Sequence, residues 1–206
     1  MSPDIPIGPV LGALDLLGIA VFAATGAVAA ARAGQTLVTF AFFALATGAG
    51  GGTVRDLLIG APVFWVADSR PLVACLVIAL IVWAAPARLW RGKMLDWLDA
   101  VGLAAYSVFG AAKALSYGVP PIAAIVMGIF TACLGGIIRD VLAGEPSIIL
   151  KPELYVTAAA LSAALFVGLS LAGLMLPLAA GIAALAGFGL RAIAIRKGIA
   201  LPTYRG

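Results

Sequence analysis

A chain of 206 residues that is 64% hydrophobic and only 11% charged, with a mean hydropathy of +1.16, lies far outside the composition of soluble globular domains and reads as a protein whose solvent is the bilayer. The absence of histidine, and two cysteines (Cys75 and Cys133) set in separate apolar stretches, leave zinc, haem and thiol chemistry nothing to stand on and mark the cysteines as packing residues. A net charge of +4 does not point to nucleic acid, because most of the basic residues fall at the ends of apolar runs and on one side of the expected membrane.

The opening stretch MSPDIPIGPV carries Asp4 and no Lys or Arg, so it lacks the basic region of a cleaved signal peptide and the first span is expected to stay. Apolar runs between charged or Pro/Gly breaks predict spans over residues 11–31, 37–59, 71–87, 98–117, 121–143, 154–173 and 175–195. At about 20 residues per crossing, seven spans use roughly 140 residues. The whole chain, 1–206, is therefore expected to form one all-α membrane domain. Alternating the sides gathers Arg32, Arg88, Arg91, Lys93, Arg139, Lys151, Arg191, Arg196, Lys197 and Arg205 on one face, leaving Arg55, Arg70 and Lys113 on or toward the other. The positive-inside rule then puts the C-terminus in the cytoplasm and the N-terminus outside an inner or plasma membrane. Trp65, Trp83, Trp90 and Trp97 near span ends read as interfacial anchors, and Glu145, Lys151 and Glu153 as solvated loop residues.

GAGGGTVRDLLIGAP, residues 48–62, and CLGGIIRDVLAGEP, residues 133–146, share the order G-G-x-x-R-D-x-L-x-G-x-P. Gly51 matches Gly135, Arg55 Arg139, Asp56 Asp140, Gly60 Gly144 and Pro62 Pro146, always 84 positions apart. The same offset carries Leu14, Asp15, Gly18, Gly26 and Gly34 onto Leu98, Asp99, Gly102, Gly110 and Gly118. The chain thus divides into an ungapped pair of three-helix repeats, 11–87 and 98–173, followed by a seventh helix with a basic tail, 174–206. An odd number of spans per unit makes the second copy enter the bilayer inverted.

In the second span Gly51 lies 14 residues beyond Leu37, roughly 21 Å along a helix and past the bilayer midplane. Gly50, Gly51 and Gly52, and in the repeat Gly135 and Gly136, make these the weakest points of their helices, so a kink or unwound turn is expected at each. Freed backbone survives at that depth only inside protein or against a watery cavity, where its carbonyls can replace the hydration shell of a cation. The hydroxyls of Thr47, Thr53 and Thr131 would add ligands. The other reading is that the glycines let helices approach closely.

Arg55, Asp56, Arg139 and Asp140 follow within about a turn. Adjacent helical residues diverge by about 100°, so each arginine is expected to pair elsewhere, Arg55 with Asp15 and Arg139 with Asp99, as pore-flanking charges or as architectural staples. Lys113, whose repeat mate is Ala29, either snorkels to the interface or stands at the mouth of a path.

The duplicated GGGTVRDLLIGAP and GGIIRDVLAGEP segments, the three-plus-three arrangement and the extra helix closely resemble the prokaryotic TRIC family, the trimeric intracellular cation channel homologues, from about Leu11 to Arg191. The resemblance implies a homotrimer in the lipid bilayer. Each protomer would carry its own pore, lined by the kinked second and fifth helices at Gly50–Gly52 and at Gly135 and Gly136. Monovalent cations would pass, mainly K⁺ and with less discrimination Na⁺, with no cofactor beyond the permeant ion. Some bacterial proteins with similar domains are described as glycine transporters, so a secondary transporter of a small solute is the alternative on the same scaffold. No nucleophile and base pair, metal cluster or phosphate-cradling loop suggests an enzyme, and GAGGGT lacks the lysine of a P-loop.

Overall fold

The computed structural model describes residues 9–90 and 92–204. Asp4, Arg91 and Arg205, used above for the signal and topology arguments, lie outside the described residues. Among the described residues the chain is all-α: α1 (Pro9–Arg32), α2 (Leu37–Leu58), α3 (Phe64–Ala67), α4 (Arg70–Ala84), α5 (Met94–Ser116), α6 (Pro121–Ala143), α7 (Val156–Leu171) and α8 (Leu176–Lys197), with single 3₁₀ turns at Ala87–Trp90 and Ile148–Leu150. By length and composition α1, α2, α5, α6 and α8 can each cross a membrane, while α4 and α7 are shorter apolar helices of 15 and 16 residues.

Proline in the first turn opens α4, α6 and α8, where its missing N–H costs nothing. The third apolar run ends earlier than expected because Ala85, held extended at ψ 145° before Pro86, cannot continue α4. The one-turn helix α3 sits inside a stretch expected to be a loop. Gly60 and Gly144, repeat mates, both turn left-handed at φ 70° just past α2 and α6, so the two copies leave their helices by the same backbone step.

Helix α5 is the axis of the molecule, buried at nearly every residue from Asp99 to Leu115. It packs on α1, α6, α7 and α8, while α2 packs on α1, α4 and α6. Small residues allow this. An added Cβ at Gly18 would run into the Tyr106 ring, and one at Gly102 would come within 3.0 Å of the Phe22 ring. Each residue in the first contact is the mate of one in the second, so the two halves exchange contacts reciprocally. Phe22 and Tyr106, themselves mates, stack at the centre with ring centroids 5.4 Å apart.

The same reciprocity governs the crossing of α2 and α6. A Cβ at Gly51 would collide with the Thr131 carbonyl, and one at Gly135 would lie 2.9 Å from the Thr47 carbonyl. The unwound turns expected at Gly50–Gly52 and at Gly135 and Gly136 are not formed, since both helices stay hydrogen-bonded through these positions. The partner helix, lying backbone to backbone, supplies the packing that glycine lacks, and an intact ladder avoids orphaned amides in an apolar interior.

Because the atom facing Gly51 is backbone and cannot rotate away, Gly51→Ala is expected to lower stability by about 1–3 kcal/mol. Gly181→Ala on α8, where nothing lies within 4 Å of the added methyl, should be neutral or slightly stabilising. Thermal unfolding of the two purified variants in one detergent checks the contrast.

Candidate functional site

The three consecutive glycines of α2 point in three directions, as a 100° step per residue requires. Gly51 meets the backbone of α6, Gly50 faces the Ile138 side chain beside an apolar groove of about 530 Å³, and Gly52 lies under the Phe64 ring close to Arg55. On α6, Gly135 returns the crossing contact and Gly136 lies against the Tyr155 hydroxyl and Asp99. Of the expected hydroxyl ligands, Thr53 donates to the Ala49 carbonyl at 2.7 Å and accepts from the Trp65 indole at 2.8 Å, and Thr131 donates to the Met127 carbonyl at 2.6 Å. Both are committed. The Thr47 hydroxyl, fully buried, has no hydrogen-bond partner among the described residues.

Gly51 lies opposite Thr131 and Gly135 opposite Thr47, so the two helices run antiparallel. Arg55 and Arg139, each four residues past its glycine, are therefore carried to opposite sides of the crossing. Contrary to expectation, each arginine binds the aspartate next to it. Arg55 Nε donates to Asp56 Oδ1 at 2.9 Å, and Arg139 Nε donates to Asp140 Oδ1 at the same distance. The other carboxylate oxygen accepts a backbone N–H eight residues on, from Phe64 at 3.0 Å and from Ile148 at 2.8 Å. That anchoring turns each aspartate across the helix end, within reach of a long guanidinium, and overrides the angular argument. Phe64 and Ile148 are again mates.

Beyond this common plan the two ends differ. At the Arg139 end, Arg139 Nη1 also binds Asp99 Oδ1 at 2.6 Å, forming the expected pair. At the Arg55 end the expected pair with Asp15 is absent. Asp15 is half-buried and makes no ion pair among the described residues, while Arg55 lies 5.0 Å from the centroid of the Phe109 ring and stays on Asp56. A second cation joins the same carboxylate, with Lys113 Nζ bound to Asp56 Oδ1 at 2.8 Å and Phe64 alongside. Lys113 is buried, so the snorkelling reading fails, and a buried ammonium is tolerable here because a carboxylate faces it.

Further residues escaped the sequence reading. Arg191 of α8, seen there only as a topology marker, is fully buried, pairs with Glu153 Oε2 at 2.7 Å and lies over the Tyr155 ring. Glu153, expected to be solvated, is thereby drawn into the structure. Leu201 N donates to the Pro152 carbonyl at 2.6 Å and Lys93 Nζ to that of Ile195 at 2.9 Å, so the tail after α8 holds the α6–α7 loop. The signal available was a charge inside an apolar run, which by itself names no partner. Away from the spans, exposed Asp68 is kept below the usual carboxylate range by the side-chain hydrogen bond from Arg70. A pair so exposed adds little to stability.

A cavity of about 270 Å³ opens at the Arg139 end, where Ala29, Arg32, Asp96, Arg139, Asp140 and Lys151 meet. Arg32, on its rim, donates away from it to the Trp90 and Gly92 carbonyls, which line a neighbouring cavity.

Known proteins share the sequence and the fold of this chain. A family model described as glycine transporter matches the chain twice, over residues 12–87 and 96–170. The UPF0126 inner membrane protein YadS of Escherichia coli strain K12 is 41% identical over 149 residues, covering 70% of this chain and 72% of the relative. A UPF0126 membrane protein of Vibrio cholerae serotype O1 is 41% identical over 155 residues, which is 70% of this chain and only 62% of that protein's length. The crystal structure of the TRIC trimeric intracellular cation channel orthologue from Rhodobacter sphaeroides superposes with a TM-score of 0.87 at 42% identity, covering 93% of this chain and all of that one.

In a double-mutant cycle on folding stability, Asp99→Ala and Arg139→Ala should each cost about 3–5 kcal/mol, with a coupling energy of up to about 3 kcal/mol. The coupling between Asp15→Ala and Arg55→Ala should be clearly smaller. Equal coupling in the two cycles would contradict the geometry.

Proposed function

The chain belongs to the family of UPF0126 membrane proteins and prokaryotic TRIC channels, and on that premise we propose that it is a monovalent cation channel that prefers K⁺. The observation that carries this reading is the likeness along 93% of the chain to a structure described as a trimeric intracellular cation channel. The path runs through each protomer of a homotrimer, alongside the α2–α6 crossing, from the charged cluster at the Arg55 end to the cavity at the Arg139 end. Ionisable groups held at such depth are costly, and a bundle that only spans the membrane gains little from them.

In this reading the three-helix units 11–87 and 98–173 are inverted repeats, α4 and α7 complete seven spans, and 174–206 is the appended helix and tail. The reciprocal contacts of Gly18 with Tyr106 and Gly102 with Phe22 support the inversion, as do the family-model matches that begin at residues 12 and 96. The N-terminus faces outward and the C-terminus the cytoplasm. Arg32, Arg139 and Lys151 share one cavity and Lys93 reaches Ile195 near the end of α8, so much of the basic charge gathers at one end of the molecule, as the positive-inside rule asks.

The crossing as described is closed: Gly51 and Gly135 lie on the opposite backbone and leave no space between the helices. Conduction requires α2 and α6 to part, or ions to pass beside them along the face of Thr47, whose hydroxyl is unpaired. Lys113 on Asp56 places a fixed positive charge at the far end of that route. The family model's description and the mixed charges of the cavity favour one other reading, a secondary transporter of a small zwitterion such as glycine.

Single-channel recording of the purified protein in planar bilayers under asymmetric KCl should give discrete currents that reverse near the K⁺ potential. Silence, with saturable glycine uptake into liposomes, would establish the transporter instead. Lys113→Ala should raise the cation current several-fold, because it removes the positive charge from the route; an unchanged current would take Lys113 off it.

A further inference from the structure

The two charged ends are built on one plan and differ in two ways: Asp99 pairs with Arg139 whereas its mate Asp15 does not pair with Arg55, and Lys113 stands where the other repeat has Ala29. At the Arg55 end the buried charges in contact are Arg55, Lys113 and Asp56, a formal net charge of +1. At the Arg139 end they are Arg139, Asp140 and Asp99, a formal net charge of −1. The mate of Lys113 is Ala29, and the mate of the carboxylate it binds is Asp140. Ala29 and Asp140 line the same cavity of about 270 Å³. Where the protein seats its own ammonium at one end, it leaves an open space at the other. The two carboxylates register this: the Asp56 side chain is 0% exposed and that of Asp140 is 11% exposed.

We propose that this cavity seats one compact monovalent cation, an alkali ion or the ammonium of a primary amine, at Asp140 in the place that Lys113 takes at Asp56. Asp140 Oδ1 holds its arginine in the same way as Asp56 Oδ1, with Nη2 at 2.8 Å in both, so the remaining approach to that oxygen is the one Lys113 uses. Of the other charged groups around the cavity, Arg32 is engaged by the Trp90 and Gly92 carbonyls, Lys151 and Glu145 are exposed, and Asp96 is half-buried. The buried cluster of Arg139, Asp140 and Asp99 carries one negative charge in excess, which favours a counter-cation beside it, while the cavity's own lining balances Arg32, Arg139 and Lys151 against Asp96, Asp140 and Glu145. The seat deepens the channel reading, since it would hold a permeant ion at one mouth, but it is tested by binding and requires no current.

The test is equilibrium binding of radiolabelled rubidium to the intact detergent-purified protein by scintillation proximity, with N-methylglucamine chloride keeping the ionic strength constant. Wild type should show one saturable site per protomer, displaced by K⁺ and by methylammonium. Ala29→Lys supplies an ammonium at the seat, as Lys113 does at the other end, and should abolish the site while the oligomer elutes unchanged. Ala29→Leu, which fills the seat without adding a charge, should likewise abolish the site, and it keeps the proposal testable if Ala29→Lys fails to assemble. Glycine competing with rubidium would show that the seat takes the ammonium of a zwitterion, and glycine without effect would confine it to simple cations. No saturable site in wild type, or Ala29→Lys binding as wild type does, overturns the seat even if unitary currents are recorded. Binding without currents keeps the seat and overturns the channel.

Discussion

Where α2 and α6 cross, the backbone of each helix lies against a threonine carbonyl of the other, and the absence of a side chain at Gly51 and Gly135 is what permits it. Contacts this close bring Cα–H groups onto carbonyl oxygens, worth about 0.5–1 kcal/mol each, but their larger effect is positional. They fix the register of two antiparallel helices, and with it the heights of everything those helices carry. Arg55 and Arg139 each follow their glycine by four residues, roughly 6 Å of helix, so the register also sets how far apart the charged ends stand. The central helix α5 then serves both ends, bringing Asp99 to one and Lys113 to the other.

Burying charge here has no simple stabilising rationale, because the desolvation of an ion pair often cancels its attraction. What the pairs provide is definition. Each aspartate ties its arginine to the amide of the following loop, so the helix ends, the loops and α5 are held by one network at each side. At the Arg139 end a second layer, Arg191 with Glu153 and Tyr155, steadies the same loop from α8. The last helix is thus part of the Arg139 end and more than a covering for the bundle.

Much of this was legible in the sequence. The apolar runs fell within a few residues of the helices they predicted, the duplication located both charged ends, and the side on which each span opens named the Asp99–Arg139 pair, although the same argument named the absent Asp15–Arg55 pair. Two kinds of error remained. Glycine runs were read as weak points of an isolated helix, whereas the partner helix decides whether the ladder holds. Pairing was argued from helical geometry alone, which misses that the Phe64 and Ile148 amides reorient the aspartates toward their neighbours. Lys113 drew attention as the break in symmetry, yet its partner could not be named, because no linear spacing connects it to Asp56. Arg191 was hidden in the same way.

Contacts that map onto themselves when two halves are exchanged are the contacts of a symmetric dimer. Gly18 on Tyr106 and Gly102 on Phe22, with Phe22 and Tyr106 stacked between, form such a set inside one chain. Each half therefore presents a surface complementary to the matching surface of the other, as the two protomers of a symmetric dimer do. The charges do not follow that exchange: position 29 holds alanine where position 113 holds lysine, so contacts that are symmetric in shape carry a polarity in charge.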